Sequence, residues 1–260
     1  MKKVCFVSVS GGKDSALTLA LALEKYQGVV PVIPFFCDTL WEHPVTYSYL
    51  NGLEDFFGIK IERLTGFNGG MMGLIRKKKT FPSPRRRFCT QYLKVKPAYL
   101  FYNQLYERLG FQTAEVWIGM RRGESIYRRG IEDKVQGPGK TKFGERFSFE
   151  LRFVYPIKDL STMQVFRELK RRNIPINPLY EMGYERVGCF PCFCSKRDIL
   201  TVMKDAIGGD EIAAQRVADM KSLEDEIRKK YPKVRLHVDY SFDELYRMAA
   251  IEAKQLVLDL

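Results

Sequence analysis

At 260 residues, 45% hydrophobic and 13% aromatic, the chain is long enough for one α/β domain with an appendage or for two small domains. No segment has the apolar length of a transmembrane helix, and the start, two lysines and then a strand, lacks the apolar stretch of a signal peptide, so a cytoplasmic protein with no membrane partner is expected. The formal charge is +12, and residues 70–130 alone carry fourteen Lys and Arg against three Glu, a concentration that points to a polyanionic partner rather than to a solubilising surface.

Residues 3–9 read as a short buried parallel strand and 14–26 as an Ala/Leu-rich helix. Between them lies Ser10-Gly11-Gly12-Lys13-Asp14-Ser15. Unpaired N–H groups at the helix start attract anions, and the two glycines let the backbone approach phosphate closely. Lys13 adds a point charge, and Ser10 and Ser15 add hydroxyls. The spacing does not match the P-loop of the nucleoside triphosphatases. A plain Ser/Gly helix cap is the structural alternative.

A strand at 29–36, a helix at 44–57 and a strand at 59–64 continue the alternation of a doubly wound, mostly parallel α/β sheet. On that reading the ligand sits at the carboxyl ends of strands one and two, where Ser10–Ser15 and Asp38 converge. Residues 66–88 are rich in Gly, Pro and basic residues, seven of the twelve from Arg76 to Arg87 being Lys or Arg, and are expected to be a mobile loop. A helix over 91–110, a strand over 115–119 and a second flexible excursion over 130–146 follow. A helix over 161–173 then precedes a cysteine cluster and a helical tail over 196–258. The expected division is a nucleotide-binding domain at 1–160 and a cysteine-cluster and helical region at 161–260.

Of six cysteines, Cys5 and Cys37 read as small core residues. Cys189, Cys192 and Cys194 form a C-x-x-C-x-C run, which in a cytosolic chain suits a metal or cluster better than a disulfide. Soft thiolates suit iron–sulfur clusters or zinc. Arg121, Arg122 and Arg128 are candidates to clamp phosphate bidentately, with a solvated face as the alternative. Glu124 caps a helix, pairs with an arginine or holds Mg²⁺. His43 and His237 stand in no ligand spacing, and Trp41 and Trp117 read as core or pocket wall.

Residues 10–15, S-G-G-K-D-S, resemble the PP-loop of the N-type ATP pyrophosphatases, which cleave ATP between the α- and β-phosphates. Four further segments follow in the order of the phosphoadenosine phosphosulfate reductase-like branch of that superfamily. They are Arg87-Phe88-Cys89-Thr90 with Leu93 to Pro97, Gly119 to Ser125 with Arg128, Tyr155-Pro156-Ile157, and Ile174 to Tyr180 running on to Gly188-Cys189-Phe190-Pro191-Cys192. The resemblance implies an adenine nucleotide α-hydrolase-like fold and ATP at Ser10–Ser15 with Asp38, Arg122 and Arg128. It also implies catalysis through Lys13, Asp14 and Arg121, with Asp14 helping to hold Mg²⁺. A four-iron cluster on Cys89, Cys189 and Cys192 is implied as well; Cys194 is extra and is a candidate fourth ligand, and zinc is the alternative metal.

No cysteine follows Cys194, whereas sulfonucleotide reductases work through a tail cysteine. The chain resembles more closely the enzymes of DNA phosphorothioation, and phages carry relatives of unassigned role. That resemblance implies an ATP pyrophosphatase that adenylylates an acceptor oxygen and works with a cysteine desulfurase or another sulfur donor. It implies nucleic acid, DNA ahead of tRNA, bound through 76–96. A sulfonucleotide reductase, a tRNA thiolase and a nucleic-acid-binding module with a vestigial nucleotide site are the competing readings; a homodimer is open.

Overall fold

The computed structural model describes residues 2–26, 28–141 and 144–258. Two compact units emerge. One comprises Met1–Asp38, Pro44–Leu64 and Val95–Val187, the other Thr39–His43, Thr65–Lys94 and Gly188–Leu260.

The first unit is built on strands β1 (Lys3–Ser8), β2 (Val32–Asp38), β3 (Glu62–Thr65), β4 (Thr113–Ile118), β5 (Lys134–Gln136) and β8 (Glu150–Val154), in the order β3-β2-β1-β4-β8-β5. β1 runs parallel to β2 and β4, β8 runs parallel to β4, and only β5, at the edge, is antiparallel to its neighbour. Strand alternation sends successive β1 residues to opposite faces. Cys5 and Val7 pack with α1 (Lys13–Tyr26), α2 (Pro44–Phe57) and α6 (Thr162–Arg171), while Val4 and Phe6 pack with α5 (Lys96–Leu109), Phe6 stacking on Tyr102 at 4.5 Å. Burial on both faces explains the unbroken apolar run of β1. The fold is the expected doubly wound, mostly parallel α/β sheet.

Strand order reverses between β1 and β4, since β2 and β3 lie on one side of β1 and β4 and β8 on the other. The crevice at that reversal therefore opens between the carboxyl ends of β1 and β4, not of β1 and β2 as the local sequence suggested. Strand order is a tertiary property that no local pattern carries.

Two expected loops contain regular structure. The 130–146 excursion supplies β5 and a small antiparallel pair, β6 (Gly139–Lys140) with β7 (Arg146–Phe147). The expected basic loop at 66–88 carries helix α3 (Gly70–Lys78) in its middle, with Met71, Leu74 and Ile75 buried at helical spacing. Its cations, Arg76 to Lys78, occupy the last turn, where they complement the helix dipole. The single helix expected over 91–110 is instead a π turn at Gln91–Val95 followed by α5, with the short α4 (Phe88–Thr90) just before it.

The second unit holds α3 and α4 with α7 (Lys196–Ile207), α8 (Glu211–Arg228) and α9 (Phe242–Leu258), so the tail is helical as expected. α7 packs on both α8 and α9. Fully buried Glu224 accepts the N–H groups of Leu236 (2.6 Å) and Phe242 (3.1 Å), which pins the connection between α8 and α9.

Candidate functional site

The loop after β1 enters the crevice with Gly11 at φ +78°, where a side chain is strained and a Cβ would stand 2.6 Å from Thr46 Cγ2. Ser15 Oγ accepts the Ser10 N–H (3.0 Å) and donates to the Gly12 carbonyl (2.8 Å), so the serine closes the loop on itself. Two later residues brace it. Asn177 Nδ2 donates to the Gly11 carbonyl (3.0 Å), and the Lys13 N–H donates to the Tyr180 hydroxyl oxygen (3.1 Å). The hydroxyl thus takes a donor that an anion at this loop would use. Burial pushes the Tyr180 phenol up to about 12, although the Lys13 N–H opposes the shift.

Asp14 lies between two cations. Its carboxylate accepts from Lys13 Nζ (2.8 Å) and from Arg121 Nε (2.6 Å), and Lys13 and Arg121 are only 6% and 5% exposed. Lys13 Nζ also lies 5.3 Å from the centre of the Tyr180 ring. Arg121 comes from the loop after β4, which approaches α1 closely because residue 119 is glycine: a Cβ there would stand 2.6 Å from the Asp14 carbonyl oxygen. Two buried cations and one carboxylate leave net positive charge in a desolvated crevice, which suits a polyphosphate.

The other expected nucleotide residues are placed differently. Asp38, at the end of β2, accepts from the Tyr47 hydroxyl (2.8 Å). Arg122 pairs with Glu132 and Asp159, and Arg128 pairs with Glu124. Glu124 also accepts the Arg121 N–H (2.9 Å), so it serves as both cap and arginine partner, two of the roles the sequence left open. The Trp117 indole donates to Glu115 (2.9 Å) in the core.

Three residues escaped the sequence reading of the loop. Asn177 and Tyr180 sit in the Ile174–Tyr180 motif, but their contact with residues 11–13 depends on the fold. Thr46, in the first turn of α2, is fully buried beside Gly11, and its Oγ1 has no hydrogen-bond partner. Nothing in the sequence marked it.

The four candidate metal cysteines all lie in the second unit. Cys194 lies within interaction range of both Cys89 and Cys192, which brings three of the thiols together. The Cys194 thiol, with Lys94 adding, holds Cys89 below the ordinary thiol value, while its two thiol neighbours hold Cys194 far above it. Cys189 is pushed up to about 12 by burial, with Glu42 adding, and its Sγ lies 3.8 Å from Thr39 Oγ1. Residues 39–43 anchor this stretch: Glu42 bridges to Cys189, the Phe190 N–H donates to the Trp41 carbonyl (2.7 Å), and the Trp41 indole donates to the Pro191 carbonyl (3.1 Å). Trp41 is thus core of this unit. Among the described residues no three His, Cys, Asp or Glu side chains form a ready metal-holding group. In donor chemistry the thiols fit a thiolate-bound metal or cluster.

Residues 4–194 match the phosphoadenosine phosphosulfate reductase domain. The chain belongs to that family. An uncharacterised Methanocaldococcus jannaschii protein is 32% identical over 194 residues, which are 74% of this chain and 36% of that one. A probable chloroplastic 5'-adenylylsulfate reductase of Oryza sativa is 26% identical over 72% of this chain and 38% of its own length. The chain therefore spans little more than a third of these relatives. Among solved structures, the phosphoadenylyl-sulfate reductase of Candida auris in its phosphate complex covers 72% of this chain and 81% of its own, at 18% identity and a TM-score of 0.48. No described helix is long and apolar enough to cross a membrane.

Proposed function

We propose that this member of the reductase-domain family is an ATP pyrophosphatase that adenylylates an oxygen of a nucleic-acid acceptor, a DNA backbone phosphate ahead of tRNA, so that sulfur replaces that oxygen. The observation that carries the reading is the buried Lys13–Asp14–Arg121 set in the β1/β4 crevice. An acceptor oxygen attacks the α-phosphorus of ATP, the bond to the β-phosphate oxygen breaks, and PPi leaves. A sulfur nucleophile at the sulfide level, supplied by a cysteine desulfurase or another donor, then bonds to the activated acceptor atom. AMP leaves carrying the acceptor oxygen, and no net redox change occurs at the acceptor.

The loop N–H groups, Ser10, Ser15 and Lys13 hold the departing pyrophosphate, and Arg121 meets charge developing at the α-phosphate. Asp14, now paired with Lys13 and Arg121, is the carboxylate that would help hold Mg²⁺, which would offset charge on the phosphates. Asp38 belongs to the same nucleotide set. Arg122 and Arg128 join it only by giving up Glu132, Asp159 and Glu124. Cys89, Cys189 and Cys192 would hold a four-iron cluster, with zinc as the alternative; Cys194 is the candidate fourth ligand, and without it one iron would stay open to sulfide.

The test is anaerobic incubation with ATP, Mg²⁺, radiosulfur-labelled cysteine and a cysteine desulfurase, offering DNA and tRNA separately. ATP-dependent label in the DNA backbone is expected, and label confined to tRNA moves the acceptor. The rice relative's name favours a second reading, adenylylsulfate reduction, in which a thiol reductant releases sulfite from adenylylsulfate with no need for ATP.

A further inference from the structure

A second cationic site lies wholly within the second unit, where a segment outside the basic stretch 76–96 faces part of that stretch. After α8 the chain runs Lys229-Lys230-Tyr231-Pro232-Lys233-Val234-Arg235 before Leu236 is pinned by Glu224. It forms one wall of a cavity of about 630 Å³, of which Thr80 to Ser83 and Arg86 form the other. Both walls are fixed: buried Phe81 lies 5.3 Å from Phe193, Ser83 and Arg86 close a turn (3.0 Å), and Arg235 donates to the Asp239 carbonyl (2.8 Å).

Ring and aliphatic groups of Phe81, Pro82, Tyr231, Pro232 and Val234 line the cavity, whereas Arg86, Lys230, Lys233 and Arg235 supply its charge. No Asp or Glu is in the lining, and among the described residues Arg86, Lys230 and Lys233 form no ion pair. Lys79 lies 5.3 Å from the centre of the Tyr231 ring, which carries the positive charge on to the end of α3. Apolar and aromatic walls suit a base, and the cationic rim suits the phosphates on either side of it. The volume lies in the range of sites that enclose a small organic ligand.

We propose that this cavity, formed by residues 80–86 and 230–238, receives one unpaired nucleotide of a nucleic-acid strand, with Tyr231 against the base and Arg86, Lys230 and Lys233 on the flanking phosphates. The inference rests on the nucleic-acid acceptor reading and deepens it: the strand is gripped where it is single. A paired base is not free to enter, so duplex is disfavoured, and a free mononucleotide would leave most of the rim charges unmet.

The test uses the full chain and a fluorescein-labelled 12-nucleotide single-stranded DNA, its duplex, and AMP as competitor, read by anisotropy across a salt series. Single strand should bind more tightly than duplex, and AMP should compete poorly. Lys230→Gln with Lys233→Gln should lower the slope of log affinity against log salt by about 1.4, at about 0.7 per single-strand contact. Tyr231→Leu should weaken binding roughly five- to hundredfold with the slope unchanged. Equal binding of duplex and single strand, with neither variant altered, overturns the assignment, as does binding to anionic phosphatidylserine vesicles in place of DNA.

Pyrophosphate release from ATP, measured in parallel on the unmodified chain, keeps the two readings apart. PPi without oligonucleotide binding removes the cavity proposal and leaves adenylylation standing. Oligonucleotide binding with ADP as the product does the reverse.

Discussion

Asp14→Asn should destabilise the ligand-free protein by several kcal/mol, and a polyphosphate should restore most of it. The carboxylate is the shared partner of two cations that are almost wholly buried, Lys13 at 2.8 Å and Arg121 at 2.6 Å. Removing one partner of a buried ion pair costs about 3–5 kcal/mol, because the remaining charge stays desolvated and unmatched. The Asp14 side chain keeps 14% exposure, so the lower end, about 3 kcal/mol, applies. For a chain of this size that is a fall of about 6–12 °C in melting temperature.

Inorganic tripolyphosphate, added to both proteins at about a hundred times its dissociation constant for the parent, contributes about 2.7 kcal/mol to the parent and more to the variant, where it also supplies the missing negative charge. Thermal unfolding with and without it should show a larger rescue of the variant than of the parent. A variant that melts within about 2 °C of the parent, or is rescued no more than the parent, would refute a charge-balanced crevice.

Thr46→Val removes a buried hydroxyl that has no partner, so stability should hold or rise by up to about 1 kcal/mol in urea unfolding. If the hydroxyl faces bound nucleotide, the KM for ATP rises roughly tenfold; an unchanged KM makes Thr46 mere packing. Burial alone would raise the Glu115 carboxyl, but hydrogen bonds from Lys3, Tyr26 and Trp117 bring it below its ordinary value. Its stabilisation is therefore complete above the ordinary carboxylate range and is lost as pH falls through the lowered folded value. Glu115→Gln should be less stable than the parent at neutral pH and lose less stability on acidification, and parallel pH curves of unfolding free energy would contradict this. Anaerobic purification should give a brown protein that Cys89→Ser, Cys189→Ser or Cys192→Ser bleaches; a colourless protein with stoichiometric zinc would replace the cluster.

Strand β1, the loop at 10–15, α1 and α2 were legible because their signals are local: an apolar run, glycines at a helix start, and apolar spacing near 3.6. The same locality explains what was missed. Charge dominates 66–88, so the three apolar anchors of α3, Met71, Leu74 and Ile75, were outvoted by cations that cap the end of that helix. The reversal of strand order between β1 and β4 is hidden from local sequence because β4 reaches β1 only after the chain has crossed back over the sheet. The arginine motif was visible, but the partners of Arg122 are Glu132 and Asp159, in segments with no pattern of their own. The cysteine spacing is readable, whereas the approach of Cys89 to Cys194, 105 residues apart, is tertiary.

The most direct measurement is the product of ATP turnover. Anaerobically purified protein with ATP and Mg²⁺ should yield AMP and pyrophosphate in equal amounts, and Lys13→Ala or Arg121→Ala should slow both roughly a hundredfold, the scale of losing one preorganised electrostatic contact. ADP and inorganic phosphate as products, or turnover that neither substitution changes, would contradict adenylylation at this loop.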